Sequence, residues 1–159
     1  LYNLRLSNLS AALIRAQLPE LPRRVADGRR NHDRVAAAIG AAPWIEVPHP
    51  LPGEVRAPDS LQFNLVGLSD SEVHTFTAAA EAAGVKVQVF GMSADNARAF
   101  WNWQFVPDLP ELPRTRAMLM RACDTRLPAR LTPAECDLVA DALLGAIHEV
   151  MGPQRAYGT

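Results

Sequence analysis

Prolines constrain this chain more than any other feature. Proline fixes φ, has no N–H to donate, and breaks a helix or a central strand when it falls inside one. Thirteen prolines occur in 159 residues, so the chain is divided into short elements. Leu6, Leu9, Leu13 and Ala16 recur at helical spacing around Ser7, a natural N-cap, and predict a helix that reaches Leu18 before Pro19 and Pro22 interrupt it. Helical periodicity resumes through Val25, Ala36 and Ile39 and stops at Gly40. Six arginines lie between Arg15 and Arg34, with Glu20, Asp27 and Asp33 among them. That pattern suits a solvated helix face with local ion pairs; a phosphate-binding surface is the other reading.

Trp44 to Val47 reads as a short strand closed by Pro48 and Pro50, and the proline-rich residues 48–59 read as a loop. From Ser60, the run Leu61-Gln-Phe-Asn-Leu65 alternates apolar and polar residues, as a half-buried strand does. Ser69-Asp-Ser-Glu72 is a capping box that opens a helix running to Gly84, and Val85, Val87 and Val89 then mark another strand. Residues 91–113 resist assignment but hold the densest aromatic cluster, Phe100, Trp101, Trp103 and Phe105. Arg114 to Cys123 is predicted helical, with Met118 and Leu119 turned inward. Thr132-Pro-Ala-Glu135 is a second capping box, with proline at the first helical position. It opens a last helix whose buried stripe is Val139, Leu143, Ala146 and Val150 and which Gly152-Pro153 ends. The layout is an α+β sandwich, a short and mostly antiparallel sheet packed with helices.

Composition excludes several function classes. A formal net charge of −1 offers no basic surface for nucleic acid. No apolar run approaches the roughly 18 residues that span a bilayer, so no membrane partner is expected. No charged stretch followed by an apolar run and a small-residue cleavage site opens the sequence, so no signal peptide is expected. Cys123 and Cys136 lie outside any CxxC spacing and read as two reduced thiols of a cytoplasmic protein. His32, His49, His74 and His148 are scattered and read as surface or capping residues, so no metal is expected. Ser7 and Ser10 have no neighbouring base, and no glycine-rich phosphate loop occurs.

The opening residues carry a family resemblance. Asn3, Arg5, Ser7, Ala11, Ala12, Gln17 and Leu18 stand where the DegT/DnrJ/EryC1/StrS group of sugar aminotransferases has Gly-x-Asn-x-Arg, a Ser or Thr, Ala-Ala and Gln-Leu. Leu1 occupies the place of the glycine. The tail from Asp124 to Glu135, with Leu127-Pro128 and then the Leu131-Thr-Pro-Ala-Glu135 box before the last helix, resembles that family's ending. Between the two segments the likeness thins: Phe90-Gly91-Met92 stands near where the family usually has His-Tyr-Pro.

The resemblance implies the small C-terminal domain of a fold-type I enzyme that uses pyridoxal phosphate. Residues 1–40 would be helices linking to a larger cofactor domain, 41–152 the small domain, and 153–159 a frayed tail. The whole enzyme would be a cytoplasmic homodimer that moves an amino group from an amino acid donor to a keto-sugar, nucleotide-sugar or similar carbonyl. A dehydratase relative using the same cofactor is the alternative, and a non-catalytic interaction domain is the rival from another class. In relatives the asparagine at Asn3 bonds the cofactor phosphate of the neighbouring subunit; Arg5 either assists it or braces the interface. An amide and a planar guanidinium suit those oxygens. Trp101 and Trp103 are candidates for a substrate-pocket wall, against the plainer reading of core or dimer contacts. Cofactor attachment requires a lysine, and the single lysine here, Lys86, sits between two valines on a predicted strand with nothing to mark it for that role. No residue of this chain is therefore expected to be catalytic, and the chain alone is expected to be inactive.

Overall fold

The computed structural model describes residues 7–152. α1 (Asn8–Gln17) starts where Ser7 accepts a hydrogen bond from the Ser10 N–H, and its last turn tightens into a 3₁₀ turn at Leu18–Glu20 around Pro19. α2 (Leu21–Ile39) follows at once, with Pro22 tolerated in its first turn, where its missing N–H would have no helical partner. Three arginines of α2 are ion-paired. Arg23 meets Glu20 and Asp27, Arg30 meets Asp27, and Arg34 grips Asp137 on the last helix at 2.6 and 2.7 Å.

β1 (Ile45–Glu46), β2 (Ser60–Leu65), β3 (Val87–Val89) and β4 (Ala122–Arg126) form one sheet in the order β1-β2-β4-β3, every pair antiparallel. α3 (Asp70–Ala82) carries the chain from β2 across to β3, leaving a gap between them that β4 fills. Both capping boxes form: Ser69 with Glu72 opens α3, and Thr132 with Glu135 opens α5 (Pro133–Met151). The hydrogen bond from the Thr132 backbone N–H, joined by its side chain, holds the Glu135 carboxyl below the usual carboxylate range. Gly84 takes a φ of 88° as the chain leaves α3 for β3, a conformation that favours glycine.

The sheet is two-faced. Leu61, Phe63 and Leu65 on β2, Cys123 and Thr125 on β4, and Val87 and Val89 on β3 are buried. They share one core with Val35 and Ile39 of α2, Val73 and Phe76 of α3, and Leu143 and Ile147 of α5. Phe63 and Phe76 meet edge to face, ring centres 6.3 Å apart. The opposite face is polar: Gln62, Asp124 and Gln88 stand side by side across three strands, with Ser60 and Arg126 in the next row.

The region from Arg114 to Cys123 is not one helix. α4 covers only Pro113–Leu119, and the chain then turns at Met120–Arg121 into β4, the strand between β2 and β3. Leu119 is buried as expected, but Met118 is exposed. On α5 the buried stripe is Cys136, Ala140, Leu143, Ala146, Ile147 and Met151, while Val139 and Val150 sit at its half-buried margins. His32 is also a correction: it is buried on α2, with Nδ1 3.1 Å from the Asp33 carboxylate. No helix among the described residues is long and apolar enough to cross a membrane.

Candidate functional site

Asn3 and Arg5 lie outside the described residues. The other two candidates, Trp101 and Trp103, sit in the connection from β3 to α4, where the chain is wound into successive tight turns. Phe90 extends the sheet by one bond, its N–H donating to the Ala122 carbonyl, and Gly91 donates to Leu119. Gly91 has no room for a side chain: a methyl there would come within 2.9 Å of the Met120 backbone nitrogen. The close approach fixes the start of the loop against the end of α4.

From there Asn96, Ala99, Asn102 and Trp103 each donate a backbone N–H to the residue three before, at Ser93, Asn96, Ala99 and Phe100. The last two bonds define a single 3₁₀ turn, Phe100–Asn102. Buried Ala99 anchors the turn, and Arg98, Phe100, Trp101 and Trp103 around it each have a partner. Phe100 and Trp101 meet edge to face at 5.2 Å. The Arg116 guanidinium of α4 lies 4.4 Å from the Trp101 ring centre, and Arg98 lies 4.4 Å from that of Phe90, both cation–π stacks. The Trp103 indole N–H donates to the Ala97 carbonyl at 2.6 Å, while its ring remains half exposed beside the almost fully exposed Phe105. The two arginine stacks had no signal in the sequence beyond the presence of the residues.

An open cavity of about 1020 Å³ lies over the polar sheet face and the β3 edge, lined among others by Gln62, Lys86, Gln88, Arg98 and Asp124. Trp101 and Trp103 are not among its walls, so the loop contributes Met92, Ser93 and Arg98 to the cavity and presents its indoles elsewhere. Lys86 is exposed at the start of β3. A lysine that holds pyridoxal phosphate is usually set in a desolvated or cationic pocket that lowers its pKa. Lys86 is exposed on the wall of this cavity, which Arg98 and Arg126 also line, so burial does not desolvate it. The described residues include no group of three or more His, Cys, Asp or Glu able to hold a metal ion. Burial pushes the Cys123 thiol up to about 12, which marks a packed thiol rather than a nucleophile.

Comparison with known proteins gives this geometry a context. No curated protein sequence matches the chain. Among solved structures, the fold superposes on Helicobacter pylori PseC, an aminotransferase involved in the biosynthesis of pseudoaminic acid, with a TM-score of 0.77 at 14% identity, covering 93% of this chain and 39% of that one. A Streptococcus pneumoniae protein assigned as a sugar aminotransferase, in its PMP form, superposes with a TM-score of 0.75 at 18% identity, covering 92% of this chain and 36% of that one. 3-Amino-5-hydroxybenzoic acid synthase gives 0.71 at 19% identity, covering 92% and 40%. The chain thus spans about two-fifths of the length of these structures, and its fold is that of one part of a fold-type I aminotransferase. The family model matches residues 2–144, nearly the whole chain, and on that ground the chain belongs to the DegT/DnrJ/EryC1/StrS aminotransferase family.

Proposed function

We propose that this chain is the C-terminal part of a pyridoxal phosphate-dependent aminotransferase that moves an amino group from an amino acid donor, such as glutamate or glutamine, to a keto-sugar or similar carbonyl. The family match over residues 2–144 carries the reading. Fold agreement with PseC and with a sugar aminotransferase in its PMP form supports the substrate class and the cofactor. When bound, the cofactor carries the amino group between the two substrates. In this reading its lysine belongs to a part of the enzyme outside this chain, and the exposure of Lys86 supports that.

In this reading residues 1–40 lead from the cofactor domain, 41–152 form the small domain and 153–159 its tail. α1 supports that division. None of its residues is buried, and Leu9, Leu13, Ile14, Leu18 and Leu21 expose apolar surface along and just beyond it. Apolar surface of that extent calls for a cover, which a larger domain and the second subunit of a homodimer would supply. Asn3 donates to the cofactor phosphate of the partner subunit, Arg5 assists it, and the Trp101–Trp103 turn forms part of the wall on the carbonyl-acceptor side. The enzyme works in the cytoplasm, in keeping with two buried thiols that form no disulfide.

The test uses both forms of the protein. The complete enzyme, given glutamate and a keto-sugar, should release the 2-oxoacid and aminate the sugar. This chain alone, mixed with pyridoxal phosphate, should give no visible absorbance band beyond that of the free cofactor. A band that disappears in Lys86→Ala, or a complete enzyme that consumes the sugar without forming the oxoacid, would contradict the reading.

A further inference from the structure

We propose that Asn102 is a positioning residue for acceptor binding: its amide locks the loop 93–103 into the one conformation that presents Trp101 and Trp103. The inference rests on the reading of those two indoles as part of the acceptor side.

Asn102 lies between the two tryptophans and is half-buried. Its Nδ2 donates to the Ser93 carbonyl at 2.9 Å and to the Asn96 carbonyl at 3.0 Å. A primary amide has two N–H groups, and here both are directed at the backbone of the segment that the 3₁₀ turn folds back on. The amide therefore joins the two ends of a ten-residue bend that no helix or strand holds. Asn96 adds a second tie within the bend, its Oδ1 accepting from the Arg98 N–H at 2.9 Å. That bond sets the backbone just before Ala99, and Arg98 stacks on Phe90 at the sheet. The indoles are held from outside the turn as well, Trp101 by Arg116 and Trp103 by the Ala97 carbonyl.

The physical consequence is preorganisation. A loop of this length, left free, would have to lose backbone and side-chain entropy each time an acceptor bound against its rings. With both amide hydrogens engaged, that ordering is complete before the acceptor arrives. Asn102 itself need not touch the acceptor; its effect passes through the neighbours on either side of it. Aspartate is the informative replacement, because it keeps the shape, donates nothing and turns a carboxylate toward two carbonyl oxygens.

The experiment is steady-state kinetics of the complete enzyme carrying Asn102→Asp and Asn102→Ala, with Trp101→Ala and Trp103→Ala alongside and limited proteolysis at 93–103 as the structural readout. The expected result is an acceptor KM raised roughly ten-fold or more, with donor KM, the donor half-reaction rate and the melting temperature nearly unchanged, and with faster cleavage in the loop. If the tryptophan variants raise the acceptor KM and the Asn102 variants do not, Asn102 has no positioning role and the reading of the indoles survives. If neither set changes it, that reading falls and takes the inference with it. Loss of donor and acceptor turnover together with a large drop in melting temperature would make Asn102 a residue of general stability and also overturn the proposal.

Discussion

The Asn31 side chain of α2 reaches across to the turn that opens α5, where its Nδ2 donates to the Pro128 carbonyl at 3.1 Å. It also lies within hydrogen-bond reach of the carbonyls of Ala129 and Leu131, and its Oδ1 accepts from the Arg30 guanidinium. Asn31 has no exposed surface. These bonds give the irregular segment between β4 and α5 a fixed shape, which delivers Thr132 to its capping box. Replacing Asn31 with alanine removes the side-chain donor, while Pro128 keeps the Leu131 N–H and Leu131 keeps the Arg30 guanidinium, so the cost should be about 0.5–1.5 kcal/mol. Aspartate should cost more, because it turns a carboxylate toward the same carbonyl oxygens. Urea unfolding of the two variants measures both, and equal stability of wild type and Asn31→Ala would show the contacts to be incidental.

Two helical glycines should respond to the same substitution with opposite signs. Alanine is the better helix former by about 1 kcal/mol. At Gly145 a methyl group meets nothing within 4 Å, so Gly145→Ala should stabilise by about 0.5–1 kcal/mol. At Gly28 it would come within 2.5 Å of the Pro58 carbonyl oxygen, where the proline-rich loop crosses α2. Relieving that clash costs about 1–3 kcal/mol, so Gly28→Ala should lower the melting temperature. Thermal scans of the pair decide it, and a rise in both would mean that the loop does not press on α2.

How much of this fold could be read in advance depends on how local its causes are. Both capping boxes, the helix break at Pro19 and the alternation of β2 were legible because residues within four positions decide them. β4 was not. Its inward residues, Cys123 and Thr125, are weak apolar signals, while Arg121, Asp124 and Arg126 point to a surface. Only pairing with β2 on one side and β3 on the other turns Ala122–Arg126 into a strand, and those partners lie 34 to 66 residues away in sequence. The candidate site divides the same way. The aromatic cluster was visible as composition, but the amide tie of Asn102 and the stacks of Arg98 and Arg116 exist only in the folded loop.

The thiol of Cys123 makes stability depend on pH. Burial beside the core raises its pKa from an ordinary 9.0 to about 12, partly offset by Arg121 and reinforced by Asp124. The folded state therefore keeps the proton where the unfolded chain would release it. This contribution is fully present below pH 9 and is lost as pH rises toward 12. Stability measured across that window should fall more steeply for wild type than for Cys123→Ala. Identical slopes would mean that the thiol is not held neutral by the fold.

The central claim is that this chain completes a cofactor site, through Asn3, in the subunit opposite its own. On that claim, Asn3→Ala in the complete enzyme should remove a donor to a charged phosphate, worth about 1.5–3 kcal/mol, or roughly ten- to hundred-fold in cofactor affinity. Asn3 precedes the Ser7 cap, and α1 begins after it, so the loss should leave the melting temperature of the cofactor-free protein unchanged. The direct measurement mixes Asn3→Ala subunits with subunits whose cofactor lysine has been replaced. Each heterodimer then contains one site with an intact lysine and an Asn3 supplied by the other subunit. The account predicts that the mixture regains activity that neither parent has under limiting cofactor, close to one good site per heterodimer. If heterodimers form and activity does not exceed that of the parents, Asn3 does not serve the partner's cofactor and the account is wrong at its centre.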